Sequence, residues 1–454
     1  MTDFRAIADA LSQELAADLA ARRRRAGDRL PTSRDFAHRR GIAASTASRV
    51  YAELTRRGVT VGEVGRGTFL RAAGTPLPRP PAREAGGAEV TDLEVNFSVL
   101  PDQAALLAPG LVGLTGPEAL MDALGRGAVR GTAEARAATS ALMARGGWRP
   151  DTEGLLFAGR GQQAIAALFT ALVAPGERIG FEAMTYPMAK GMALRLGLQS
   201  VPLAMDAEGL RPEAVAAAHR AHPLRLIYLQ PDLHNPLGVT MPPARRAALG
   251  ALLRELGILA VEDVVYAFLA DEAVAPLAAH APDHVVVVDS LSKRVAPGLT
   301  LGMMAAPAAL RHRLAAALRL GGWSAQGFTL AAGTAWMEDG SVATLVRRKR
   351  ADALARNALA RGILGDAGLR LRGDPRAYHL WLELPEGWRA ETFVAAAARR
   401  RIAVSPAAEF AVGAGHAPDA VRLALAAPPE SSLRPALETL RDLALAGPDS
   451  GSVG

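Results

Sequence analysis

Val285-Val286-Val287-Val288-Asp289-Ser290-Leu291-Ser292-Lys293 decides how the rest of the chain is read. Four β-branched residues in a row describe a strand buried on both faces, the mark of a parallel sheet covered by helices. A lysine closing such a strand is unusual, because desolvation opposes its charge. Either it snorkels to water or it is kept as an amine able to condense with an aldehyde.

Apolar runs of strand length recur at 154–158, 179–181, 225–229 and 258–261, alternating with Ala/Leu/Arg-rich helical stretches. That alternation predicts an α/β domain with a large, mostly parallel sheet, whose functional groups gather beyond the carboxyl ends of the strands. Gly159-Arg160-Gly161-Gln162-Gln163 opens a helix and reads as an ordinary strand-to-helix turn or as a backbone approach to a phosphate. Asp232-Leu233-His234-Asn235-Pro236-Leu237-Gly238 follows another strand, with Asn235 as turn former or ligand contact. Glu262-Asp263-Val264-Val265-Tyr266 ends a third strand in two carboxylates, and a buried acid needs a partner such as a protonated ring nitrogen. Beyond Trp323, long helical segments and short strands at 378–384 and 421–425 predict a smaller C-terminal α+β lobe. In the second of these strands Arg422 suits a bidentate carboxylate contact, or else an ordinary surface ion pair.

The N-terminal residues are of another kind. Phe4, Ile7, Ala8, Leu11, Leu15 and Leu19 lie at helical spacing in a helix expected over 4–24 and stopped by Gly27 and Pro31. Thr32 stands three residues before Asp35, a capping-box spacing, and opens a short helix closed by Gly41. A second helix runs from near Ser45 to about Arg57. Its Ala47, Val50, Tyr51 and Leu54 face inward, leaving Ser45, Thr46, Ser48, Arg49 and Glu53 off the core face. Strands at 59–61 and 68–71 then flank a Gly-rich turn with Arg66 at its tip. Residues 1–71 hold 14 Arg and 8 acidic residues, so they carry +6 of the chain's total of +7 and are suited to a polyanion.

Residues 72–91, with Pro76, Pro78, Pro80 and Pro81, read as a linker, and 447–454 as a disordered tail. The absence of cysteine excludes disulfides, thiolate zinc sites and a thiol nucleophile. The basic run from Arg22 to Arg25 precedes no apolar signal core, and the longest weakly polar stretch, 164–174, is too short for a bilayer. A soluble, cytoplasmic protein with no membrane partner is expected.

Taken together, the strand ends across about residues 90–440 resemble the fold-type I aminotransferases. That resemblance implies pyridoxal 5'-phosphate as cofactor, with Gly161 and Gln162 at its phosphate and Tyr186, in a Thr-Tyr-Pro setting, stacked on its ring. It implies Asn235 and Tyr266 at the phenolic oxygen, and Asp263 on the pyridine nitrogen, keeping the ring electron-withdrawing. Lys293 would form the internal aldimine, and Arg422 would grip the carboxylate of a small amino compound. Two departures from the family pattern fall near the phosphate. Thr300 stands where many relatives have an arginine, with Ser290 or Arg294 as the compensating contact beside Ser292 in the same cofactor-binding loop. Arg130-Gly131 replaces a Tyr-Gly pair.

Leu30-Pro31-Thr32-Ser33-Arg34 and Gly65-Arg66-Gly67-Thr68-Phe69 resemble the GntR family of winged helices, and the whole order resembles its MocR branch. The implied architecture is a winged helix-turn-helix at 1–71, a linker at 72–91, an aminotransferase-like domain at 92–446 and a tail at 447–454. The implied partners are a double-stranded DNA operator, met by Arg34, Ser45, Thr46, Ser48, Arg49, Arg66 and Gly67, and a second copy of the chain arranged head-to-tail. Ala44 stands where many members have an arginine. The implied function is a transcriptional regulator that senses an amino acid or amine through aldimine exchange. The alternative is a working aminotransferase with an accessory DNA-binding domain. A large domain serving only as a dimerisation scaffold is opposed by the intact set of Asp263, Asn235, Tyr266 and Lys293.

Overall fold

The computed structural model describes all residues except 1–3, 21–22, 26, 57–58, 64–66, 71–89, 126–128, 299, 414–416 and 448–454. The chain divides into two units, residues 1–79 with 411–417 and residues 80–410 with 418–454. Most of the expected linker and nearly all of the tail lie outside the described residues, as does Arg66.

In the first unit, α1 (Phe4–Ala20), α2 (Ser33–Arg40) and α3 (Ala44–Arg56) precede an antiparallel pair, β1 (Thr60–Glu63) and β2 (Gly67–Leu70). Ala8, Leu11 and Leu15 meet Phe36, Val50, Tyr51 and Leu54 in one core. The Thr32 hydroxyl accepts the Asp35 N–H at 3.2 Å, and Gly41 ends α2 at φ 61°. Residues 27–30 add a further row of backbone hydrogen bonds to β2, Leu30 N–H donating to Thr68 O and Leu70 N–H to Asp28 O. Gly67 is required there: at φ +121°, a Cβ would sit 2.7 Å from Arg29 Nε. Glu53, expected off the core face, is instead 9% exposed, because α3 packs against both α1 and α2.

In the second unit, seven strands run in the order β4-β12-β11-β10-β9-β5-β6. They are β4 (Leu155–Ala158), β5 (Arg178–Glu182), β6 (Gln199–Leu203), β9 (Leu226–Leu229), β10 (Leu259–Asp263), β11 (Val285–Ser290) and β12 (Gly302–Ala305), with a small ribbon of β7 (Met205–Asp206) and β8 (Gly209–Leu210) between. β12 is antiparallel to both of its neighbours and the other pairings are parallel. The central strands are buried on both faces, as the unbroken apolar runs require. The 20-residue helix Ser341–Ala360 then leads to a five-stranded sheet, β13-β14-β16-β15-β3. It contains β13 (Arg370–Arg372), β14 (His379–Glu383), β15 (Ile402–Pro406), β16 (Ala420–Ala424) and β3 (Thr91–Leu93). The linker expected to reach residue 91 therefore stops earlier. Thr91 begins a strand that pairs in parallel with β15 and buries Leu93 completely. A three-residue strand with a single apolar anchor has no periodicity for a sequence reading to detect.

The turn after β9 is fixed from below by buried charge. Asp232 receives Arg145 at 3.0 and 3.1 Å and Arg246 at 2.8 and 3.3 Å. Burial alone would raise this acid, but the two guanidinium groups hold it below the usual carboxylate range. Beside it, the Glu262 carboxylate accepts the N–H groups of Leu277 and Ala278 and is pushed up to about 6 by burial.

Removing one partner from a buried charge network leaves the rest uncompensated. Arg246→Met is therefore expected to destabilise the second unit by about 3 kcal/mol, the low end for a broken buried pair because Arg145 remains. Arg40→Ala, which removes an exposed pair with Glu14 and a contact with the Phe36 ring, is expected to cost under about 1 kcal/mol. Urea unfolding of the two variants checks this, and equal losses would refute it.

Candidate functional site

The carboxyl ends of β4, β5, β9, β10 and β11 deliver side chains to one edge of the large sheet, and the small sheet supplies the opposite wall. Lys293 lies in the short helix Leu291–Arg294 that follows β11 directly. Its Nζ donates to Asn96 O at 2.6 Å and sits 3.4 Å from the Phe97 ring centroid and 5.5 Å from that of Tyr266. Burial brings this amine down to about 7; the nearby Arg422 charge adds to the effect and Asp263 opposes it.

Asp263 ends β10. Its Oδ2 accepts the Tyr228 hydroxyl at 2.6 Å and the Gln230 amide at 3.0 Å, and its Oδ1 accepts Val265 N–H at 3.2 Å. Burial pushes the acid upward, partly offset by these donors. Among the described residues no cation forms an ion pair with it, so a charged Asp263 is desolvated without a counter-ion.

Above it, Asn96 Nδ2 donates to the Tyr266 hydroxyl at 3.1 Å and lies 3.3 Å from His379 Nδ1. His379 Nε2 must donate to the His234 carbonyl at 3.0 Å, so Nδ1 is the acceptor. Burial holds this imidazole down to about 3, hence neutral. Gln162 donates to the Tyr186 hydroxyl at 2.8 Å, and burial pushes that phenol up to about 12. Asn235 Oδ1 accepts Arg422 at 3.0 Å, which leaves the amide N–H groups as the end of Asn235 free to donate elsewhere. Arg422 also donates to Ser405 Oγ at 3.1 Å and to the Glu94 carbonyl, and lies over the Phe410 ring. Arg422 Nε, Thr185 Oγ1 and Asn96 Oδ1 are buried polar atoms without hydrogen-bond partners.

A hydroxyl cluster forms where β11 meets the helix Gly161–Leu172. Ser290 Oγ lies 3.0 Å from Ser292 Oγ and 2.9 Å from Thr300 Oγ1 and accepts Ser292 N–H. A Cβ on Gly161 would come within 3.3 Å of Ser290 Cβ, so glycine keeps this cradle open. No side chain caps that helix start, leaving its first N–H groups without an intrahelical partner. Arg294 is held apart from the cluster: its guanidinium binds Asp289 at 2.5 Å and lies over the Phe268 ring.

The structure thus brings Gly161, Gln162, Tyr186, Asn235, Asp263, Tyr266, Ser290, Ser292, Lys293 and Arg422 toward one edge. It adds Asn96, Phe97, Tyr228, Gln230 and His379, which the sequence reading missed. Tyr228 reads as core within Leu226–Leu229; the one hint of function is a hydroxyl in an otherwise apolar strand. Asn96 and Phe97 follow the Pro-rich stretch and carry no periodic signal. In the first unit, Arg34, Ser45, Ser48 and Arg49 are exposed, Thr46 and Gly67 are half-buried, and the Arg49 guanidinium lies 5.4 Å from the Phe4 ring centroid.

Residues 120–440 match the family described as aminotransferase class I and II. The "uncharacterized HTH-type transcriptional regulator YdeF" of Bacillus subtilis (strain 168) is 28% identical over 88% of this chain and 86% of its own length. The "vitamin B6 salvage pathway transcriptional repressor PtsJ" of Salmonella typhimurium is 25% identical over 65% of this chain and 67% of its own. Among solved structures, Pyrococcus horikoshii kynurenine aminotransferase, in complex with PMP, superposes with a TM-score of 0.73 at 19% identity, covering 80% of this chain and 93% of that one. This likeness shows a shared fold.

The low proton affinity of Lys293 has a consequence for stability. The unfolded chain keeps that proton up to about pH 10.5, whereas the folded chain releases it near 7. Between these values the unfolded state binds more protons, so stability rises with pH through the window. Lys293→Met is expected to flatten that rise relative to the unsubstituted chain in urea unfolding measured from pH 7 to 10.5. Parallel curves for the two proteins would mean that the amine is not depressed.

Proposed function

The chain belongs to the class I and II aminotransferase family, and we propose that it works as a transcription regulator in which this site holds pyridoxal 5'-phosphate and senses a small amino compound. The observation that carries the cofactor reading is Asp263, a buried carboxylate at a strand end with hydrogen-bond donors but no counter-ion among the described residues. A protonated pyridine nitrogen is the partner such an acid lacks. The Gly161 cradle, with the Ser290 and Ser292 hydroxyls and the uncapped helix start, fits a phosphate. When bound, the cofactor supplies an aldehyde that condenses with amines and a ring that withdraws electrons from them.

In this reading the chain's own residues divide the work. Gly161, Gln162, Ser290 and Ser292 hold the phosphate. Arg294, bound to Asp289, acts on this loop only indirectly. Tyr186 lies against the ring, and Asn235 and Tyr266 donate to the phenolic oxygen. Lys293 offers an amine that burial keeps largely able to shed its proton near neutrality. Arg422, with Nε still unpaired, binds the carboxylate of an amino acid effector.

The first unit completes the regulator as a winged helix-turn-helix that meets double-stranded DNA. Its exposed Arg34 and Arg49 lie on phosphates, with Ser45, Thr46 and Ser48 along the groove face of α3 and Arg66 and Gly67 in the wing. One relative named an HTH-type transcriptional regulator and another named a transcriptional repressor support this side of the reading. The protein acts in the cytoplasm as a head-to-tail homodimer. A second reading, a working aminotransferase with an accessory DNA-binding domain, is favoured by the positions of Lys293 and Asp263 alone; sustained turnover of an amino donor with a keto acid would support it.

Two measurements test the proposal. Borohydride reduction after pyridoxal phosphate loading is expected to leave a covalent adduct on Lys293, and Lys293→Ala to abolish it; an adduct on another lysine rejects the site. For DNA, Arg34→Ala and Arg49→Ala are each expected to weaken binding to all sequences. Each should flatten the slope of log affinity against log salt by roughly one unit. An unchanged slope with altered sequence preference would make the residue a base reader instead.

A further inference from the structure

The helix Ser341–Ala360 turns Val342, Leu345, Val346 and Ala353 into the core, and at the next core position it carries Lys349, which is 0% exposed. Its Nζ donates to three backbone carbonyls, Ser98 O at 2.7 Å, Val295 O at 2.7 Å and Lys293 O at 3.0 Å. An ammonium has three N–H bonds and no acceptor, so all three carbonyls are matched. A neutral amine would turn its lone pair toward one of them. Asp352, on the same helix, is engaged elsewhere, by Arg356 at 2.8 Å and the Tyr378 hydroxyl at 2.7 Å.

We propose that Lys349 is a positioning residue of this site: a buried cation that ties the backbone at Lys293 and Val295 to that at Ser98, and sets a positive charge behind the Lys293 amine. Both strands of the tie matter. The carbonyl of Lys293 itself is one anchor; the other, Ser98, adjoins Asn96 and Phe97, which supply the carbonyl and the ring that the Lys293 amine touches. The charged and titratable groups around that amine are Arg422 from β16, Asp263 from β10, Tyr266, His379 from β14 and Lys349. Lys349 and Arg422 both disfavour a second cation there, and Asp263 alone favours it. Burial lowers Lys349 itself to about 8, opposed by Asp352, which leaves it charged at neutral pH.

The assignment rests on the reading of Lys293 as the cofactor's anchor, but it can be tested without the cofactor. The full-length chain is stripped with hydroxylamine and dialysed, and acylation of Lys293 by an amine-reactive reagent is followed against pH by mass spectrometry. Lys349→Met is expected to raise the midpoint for Lys293 by about one pH unit, as loss of a nearby unit charge in a medium of intermediate dielectric requires. Lys349→Arg, which keeps the charge, is expected to restore the original midpoint. An unchanged midpoint in Lys349→Met, or an equal rise in both variants, overturns the proposal. If neither variant folds, the lysine Nζ resonances of the unsubstituted protein decide it: Lys349 charged at pH 6 upholds the proposal and Lys349 neutral there overturns it. Failure of the borohydride adduct to form on Lys293 would remove the cofactor reading while leaving this titration unaffected.

Discussion

An acid and an amine are buried at the same sheet edge, and among the described residues they form no ion pair with each other. Asp263 is satisfied by a phenol, an amide and a backbone N–H, and Lys293 by a carbonyl and an aromatic face. Each is driven by burial toward its neutral form, the acid upward and the amine downward. Neither has an ionic partner among the described residues, so their placement is set by the frame around them.

That frame is built where the two sheets meet. The turn carrying Asn235 is held from one side by Asp232 with its two arginines and from another by His379, which donates to the His234 carbonyl. Its far end is pinned by Gly238, at φ +64°, where a Cβ would sit 2.7 Å from the Gly373 Cα of the small lobe. Arg422 of the small sheet then bonds Asn235 of the large one. A ligand carboxylate that took Arg422 would therefore compete with the contact joining the lobes.

The sequence revealed the strand ends because buried parallel strands read as unbroken apolar runs and because Lys293, Asp263 and Asn235 interrupt those runs with groups that burial penalises. It revealed the first unit's helices through their spacing and the Thr32 and Gly41 caps. It could not reveal Tyr228, whose hydroxyl points from a core strand to Asp263, since a tyrosine among leucines is ordinary core. Nor could it reveal β3 and the 94–98 segment, which are too short for periodicity and depend on partners some 170 to 330 residues away in the chain. Glu53 was misjudged because a helical wheel marks one buried stripe, whereas α3 is packed on two sides.

The 94–98 segment shows why long-range partners matter. Its carbonyls at alternate residues each receive a side-chain donor: Glu94 O from Arg422, Asn96 O from Lys293 and Ser98 O from Lys349. One short segment thus faces three side chains from three distant elements. The bonds from Arg422 and Lys349 are charge-assisted and stronger than neutral ones, and in a buried setting neither is lightly broken. In the proposed function a bound amino compound would engage two of these three donors, Lys293 and Arg422. Drawing Arg422 away would loosen one end of the segment, and drawing Lys293 away its middle, while Lys349 holds the other end. The same side chains that would recognise a ligand also position the chain immediately after β3.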